Sequence, residues 1–194
     1  MADIAQIRKS LASRATDPIV RILSRSRLNP NALTLIGLAL NIGAAYVIAL
    51  NHFLLGGVLV LVAGLFDLLD GALARFAGHA TRFGAILDST VDRVSEAAIF
   101  CGLLIWYIGG GTSLEIVLVF VVLVGSFLVS YIRARAEGLG LECQVGLFTR
   151  AERVIVLVIG LLINQVSIVL WILAVFVYVT VAQRLFYLHK RTRN

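Results

Sequence analysis

Charge is what this sequence has least of. Only 14% of its 194 residues are Asp, Glu, Lys or Arg, where a soluble domain carries about a quarter. With so little polar surface to offer water, a soluble globule is excluded. Two cysteines, Cys101 and Cys143, exclude a disulfide scaffold. A hydrophobic content of 60% excludes disorder. What is present instead is a succession of long apolar runs, the mark of a polytopic membrane protein. The expected fold is all-α and integral to the membrane, with six transmembrane helices preceded by an N-terminal amphipathic interfacial helix.

The runs place the helices at about 32–50, 53–76, 83–108, 114–136, 151–163 and 167–188, with tight turns at Asn51-His52, Gly109-Gly110-Gly111 and Asn164-Gln165-Val166. The fifth run is short, as a tilted helix or one that begins earlier would be. Basic residues are missing from all three of those turns. They gather before the first run (Arg8, Lys9, Arg14, Arg21, Arg25, Arg27), around the second junction (Arg75, Arg82, Arg93), around the fourth (Arg133, Arg135, Arg150, Arg153) and at the end (Arg184, Lys190, Arg191, Arg193). Those are all seventeen. The positive-inside bias then puts both termini and the two basic loops in the cytoplasm of a multi-pass cell-membrane protein.

Residues 1–28 lack the continuous apolar core of a cleavable signal peptide. Ile4, Ile7 and Leu11, then Ile19, Ile22 and Leu23, recur at helical spacing with basic residues between them. This is the pattern of an amphipathic helix on an anionic membrane surface. Asn29-Pro30 ends it, and residues 29–194 form the six-helix transmembrane domain. Membrane lipids are the expected surroundings, and no nucleic-acid partner is expected.

Carboxylates inside apolar helices are costly and mark function by default. The second run holds Asp67 and Asp70, the third Asp88 and Asp92, and spacings of three and four put each pair on one helical face. Two antiparallel helices could therefore converge four acids. Arg75, Arg82 and Arg93 could neutralise part of that charge, but hard divalent cations do it better. No His or Cys lies in the cluster, which argues against zinc or copper. Gly71 and Gly84, beside these acids, allow close approach of a ligand or a backbone. An ion or proton transporter could also line a path with acids, but a broken-helix transporter would carry internal repeats, and the sequence has none.

Over residues 67–92 the pattern is D-x-x-D-G-x-x-A-R, eight residues, then G-x-x-x-D-x-x-x-D. It resembles the signature of the CDP-alcohol phosphotransferases at every fixed position: Asp67, Asp70, Gly71, Ala74, Arg75, Gly84, Asp88 and Asp92. The family moves a phosphatidyl or other phosphoalcohol group from a CDP-activated donor to an acceptor hydroxyl and releases CMP. The resemblance implies two divalent ions (Mg²⁺, with Mn²⁺ an alternative) held by Asp67, Asp70, Asp88 and Asp92, with Asp92 also the general base. It implies CDP-diacylglycerol contacts from Pro30, Asn31, Thr34, Gly71, Ala74, Arg75, Thr81 and Gly84. It also implies a homodimer.

A second basic cluster bears on the acceptor. Ser130-Tyr131-Ile132-Arg133-Ala134-Arg135-Ala136-Glu137 and Arg150-Ala151-Glu152-Arg153 put guanidiniums on adjacent helix ends, an anion site suited to a phosphorylated polyol. These segments resemble the family's prokaryotic phosphatidylinositol-phosphate synthase branch. That resemblance implies inositol phosphate as acceptor, held by Ser130, Arg133 and Arg153, with Arg191 or Arg193 as further contacts. Glycerol 3-phosphate, the acceptor of phosphatidylglycerol-phosphate synthases, also carries a phosphate and is the alternative.

Overall fold

The structure, a computed structural model, describes residues 30–76 and 81–193. The expected interfacial helix over 1–28, and His79, lie outside the described residues. Six helices follow in order: α1 Pro30–Ala49, α2 Phe53–Phe76, α3 Arg82–Gly110, α4 Ser113–Gly138, α5 Arg150–Leu162 and α6 Val166–Thr192. The all-helical architecture read from the apolar runs is what the described residues adopt.

Each helix end has a local cause. Pro30 occupies the first helical position of α1, where its missing N–H has no intrahelical partner to lose. Asn51 and Asn164 end α1 and α5 in the left-handed region, at φ 67° and 54°, a conformation asparagine tolerates. The following amides close back on the helix, His52 N–H onto Val47 O at 2.9 Å and Gln165 N–H onto Gly160 O at 2.8 Å. These are Schellman stops that satisfy otherwise orphaned carbonyls. Gly140, at φ 73°, ends α4 in the same way, with Leu141 N–H on Ala136 O at 2.9 Å. At the start of α4, Glu115 accepts from Thr112 N–H at 2.8 Å. Glu152 does the same for Thr149 N–H at 3.0 Å before α5, both as in a capping box.

Two boundaries differ from the sequence reading. Gly109 and Gly110 continue α3 instead of forming a turn, and the chain reverses at Gly111-Thr112. The Gly111 amide still reaches Tyr107 O at 2.7 Å, so the ladder runs through the glycines. α6 runs on past Leu188 to Thr192, with His189, Lys190 and Arg191 in its last turn, where cations favour the negative end of a helix.

Among the described residues, four helices contain segments long and apolar enough to cross a membrane: Asn31–Ala49, Phe53–Asp70, Ser113–Gly138 and Val166–Thr192. α3 is long enough at 29 residues but carries Asp88, Asp92, Arg93 and Glu96 in its first half. α5 has 13 residues, about 20 Å at 1.5 Å per residue, against a hydrocarbon core of about 30 Å.

The described residues fall into two compact units. One comprises residues 30–42, 59–76 and 81–95; the other comprises 43–58 and 96–193. In the first, Leu33 and Leu73 are buried against each other with Phe66, Leu69 and Ala72 around them, which locks the start of α1 to the end of α2. In the second, α6 is the central element, packing against both α4 and α5. Leu170, Leu173 and Val177 of α6 are fully enclosed there.

Candidate active site

In the first unit, the Leu33–Leu73 contact fixes the register of α1 against α2, and that register brings Thr34 to Asp70. The Thr34 hydroxyl donates to Asp70 Oδ2 at 2.6 Å, and both residues are buried. Asp67 lies one turn earlier on the same face of α2. From α3, Asp88 joins them: one carboxylate oxygen from each of Asp67, Asp70 and Asp88 lies within 4.8 Å of the other two. Asp92 is one turn further along α3 and outside this group of three.

Thr81 fixes where α3 begins. Its Oγ1 accepts from Gly84 N–H at 2.9 Å and its carbonyl from Ala85 N–H at 3.1 Å, the geometry of a helix N-cap. Gly84 is where a side chain would not fit freely, since a Cβ there would lie 3.0 Å from Thr81 Oγ1 and 3.4 Å from Asn31 Oδ1. Asn31, Thr34, Thr81 and Gly84 thus cluster at the helix ends that carry the carboxylates. Pro30, Gly71, Ala74 and Arg75 belong to α1 and α2 by backbone, and their side chains lie outside the described residues.

Three ionised carboxylates this close repel by about 3.5 kcal/mol per pair at an effective dielectric of about 20, so a cation among them would be stabilising. The donors are all oxygen, the set that hard divalent ions such as Mg²⁺, Mn²⁺ or Ca²⁺ prefer. The group fits such an ion.

The second unit holds the basic residues. Arg153 of α5 is buried and grips Glu96 of α3 with two bonds, Nε to Oε1 at 2.8 Å and Nη2 to Oε2 at 2.9 Å. Arg133 on α4 is exposed and bonded to Glu137 at 2.8 Å. Ser130, one turn earlier, is half-buried. Arg191 lies exposed near the end of α6, donating to Tyr187 Oη at 2.6 Å, and Arg193 follows as the exposed C-cap. Arg133 and Arg153 are both within electrostatic reach of a third guanidinium, Arg184.

Sequence reasoning missed two of these residues. Arg184, which the sequence groups with the C-terminal basic residues, is 3% exposed inside α6. Its Nε donates to Val145 O at 2.9 Å and its Nη1 to Val129 O. Gly146, at φ 138°, packs beneath it. Leu147 N–H on Gln183 at 3.1 Å and Phe148 N–H on Thr180 at 3.0 Å complete the clamp of α6 on the α4–α5 loop. The available signal was an arginine set among Val181, Leu185 and Phe186. Glu96 was missed as well, although it continues the four-residue spacing of Asp88 and Asp92.

Comparison with known proteins follows the same lines. Residues 27–183 match the family described as CDP-alcohol phosphatidyltransferase. The chain is 37% identical to phosphatidylinositol phosphate synthase of Mycobacteroides abscessus, covering 89% of this chain and 83% of that one. It is also 37% identical to archaetidylinositol phosphate synthase of Pyrococcus horikoshii, covering 92% and 94%. Its fold is similar to that of Mycobacterium tuberculosis phosphatidylinositol phosphate synthase with CDP-DAG bound, with a TM-score of 0.81, 38% identity and coverage of 89% and 92%. The same enzyme in complex with manganese and citrate matches with a TM-score of 0.80 at 38% identity, covering 88% and 87%. The chain belongs to the CDP-alcohol phosphatidyltransferase family.

Proposed function

We propose that this protein transfers the phosphatidyl group of CDP-diacylglycerol to inositol phosphate, forming phosphatidylinositol phosphate and releasing CMP. The observation that carries this reading is the Asp67–Asp70–Asp88 cluster, held on the family's signature positions in a chain whose relatives make inositol phosphate lipids. The acceptor hydroxyl attacks the phosphorus that bears diacylglycerol, the bond from that phosphorus to CMP breaks, and the hydroxyl proton passes to Asp92. A base with hydrogen-bond reach of the hydroxyl supplies about 10²–10⁴ in rate.

Asp67, Asp70 and Asp88, with Asp92 contributing, would hold two Mg²⁺ ions; Mn²⁺ is supported as a substitute by the manganese complex of the mycobacterial relative. Bound there, divalent ions neutralise pyrophosphate charge and stabilise the departing CMP. Thr34 orients Asp70 through its hydroxyl. Pro30, Asn31, Gly71, Ala74, Arg75, Thr81 and Gly84 form the CDP pocket, with Arg75 supplying a fork of donors to phosphate oxygen. Ser130, Arg133, Arg153 and Arg191 receive the acceptor phosphate.

All six helices cross the cell membrane, α3 with its charged half turned away from lipid and α5 tilted. The basic loops support a cytoplasmic location for both termini and the site, and on this reading the protein acts as a homodimer. An acceptor screen tests the reading: CDP-diacylglycerol and Mg²⁺ with inositol phosphate, glycerol 3-phosphate, inositol or serine, the lipid products resolved by mass spectrometry. Phosphatidylinositol phosphate should be the main product. Preference for glycerol 3-phosphate would move the chain to the phosphatidylglycerol-phosphate branch. Cation transport in vesicles without CMP release would overturn the enzymatic reading.

A further inference from the structure

Arg153 is not an open cation. It is 2% exposed, and two of its three nitrogens are committed to one carboxylate, Glu96. Nη1 makes only a 3.5 Å contact with Phe148 O, longer than an ordinary hydrogen bond. The guanidinium is planar and rigid, so fixing its Nε–Nη2 edge fixes where the Nη1 edge points. Glu96 comes from α3 and Arg153 from α5, so the pair also sets the rotation of one helix against the other. Within α3, Asp88, Asp92 and Glu96 recur every four residues along one stripe.

We propose that Glu96 is a positioning residue for the acceptor: by holding one edge of Arg153, it presents the remaining edge to the acceptor phosphate. This rests on the reading of Arg153 as an acceptor contact. Glu96 also lowers the net charge of a region that contains Arg133 and Arg184, so the guanidinium stays oriented before the phosphate arrives. Removal of the carboxylate frees Arg153 to rotate, which weakens acceptor binding and leaves the CDP donor unaffected.

Steady-state kinetics of the full-length enzyme in detergent or nanodiscs test this, with Glu96→Gln, Glu96→Asp, Arg153→Ala and the exchange Glu96→Arg/Arg153→Glu. Glu96→Gln should raise KM for inositol phosphate about tenfold or more and change KM for CDP-diacylglycerol less than about twofold. Glu96→Asp, which keeps the charge on a shorter arm, should recover part of the loss. The exchange variant separates positioning from mere support. It should recover thermal stability relative to Arg153→Ala but keep the high acceptor KM, because the cation now projects from the wrong helix. Recovery of both would make the pair structural only and overturn the proposal; so would equal changes in both KM values for Glu96→Gln. If Arg153→Ala raises the acceptor KM while Glu96→Gln and Glu96→Asp do not, the role of Glu96 falls alone. If Arg153→Ala leaves the acceptor KM unchanged, the assignment of Arg153 falls, and that of Glu96 with it. Should Glu96→Gln fail to fold, Glu96→Asp and the exchange variant still decide between these outcomes.

Discussion

Replacing Thr34 by valine removes one hydroxyl and almost no volume. That hydroxyl donates to Asp70 Oδ2 at 2.6 Å in a buried setting, and Asp70 is the most enclosed member of the three-carboxylate group. A hydrogen bond to a charged group contributes about 1.5–3 kcal/mol. Without it, Asp70 keeps its charge but loses the contact that orients it, and each 1.4 kcal/mol weakens a binding constant about tenfold. The expected loss in divalent-ion affinity is therefore about 10–100-fold, the range seen when an outer-shell partner of a metal ligand is removed. The assay is a Mg²⁺ or Mn²⁺ titration of CMP release at saturating CDP-diacylglycerol and inositol phosphate. Thr34→Val should shift the half-activating concentration upward by that factor and recover most of kcat at high metal. Thr34→Ser should behave like the parent. An unchanged titration curve with lowered kcat would refute the link between α1 and the carboxylates.

Other consequences follow from the same geometry. Asp92→Asn should lower kcat by about 10²–10⁴ with little change in the thermal midpoint, as followed by fluorescence-detected unfolding. Arg133→Ala should raise the acceptor KM more than the donor KM. Its exposed Glu137 partner contributes at most about 1 kcal/mol, so stability should barely move. Gly146→Ala combines a φ of 138° with a Cβ that would sit 2.7 Å from Thr180 Cγ2, and should lower the thermal midpoint by several degrees through loosening of the α4–α5 loop. Chelation by EDTA should abolish CMP release, and Mg²⁺ or Mn²⁺ should restore it.

Most of the fold was legible because membrane helices announce themselves by length and apolarity, and the turns by residues that tolerate the left-handed region. Asn51 and Asn164 are such residues, and both stops fall there. The carboxylates were legible because charge inside an apolar run is rare: Asp67, Asp70, Asp88 and Asp92 carry that signal equally, and the structure gathers the first three. The partners of those charges were harder to read. Nothing local ties Thr34 to Asp70, 36 residues away, or Glu96 to Arg153, 57 residues away. Such pairings depend on helix rotation, which is set by packing such as that of Leu33 on Leu73. Arg184 was missed for a related reason: positive charge at the end of a chain reads as a cytoplasmic flank. Its bonds to the carbonyls of Val129 in α4 and Val145 in the α4–α5 loop reveal its role.

On the proposed function, carboxylates from α2 and α3 share a divalent cation. Diffraction from crystals grown with Mn²⁺, recorded at the manganese absorption edge, tests it most directly. Anomalous density should appear within coordination distance of Asp67, Asp70 and Asp88 and vanish in Asp70→Ala. Protein that is active in Mn²⁺ under the same conditions but shows no density among those three side chains would contradict it.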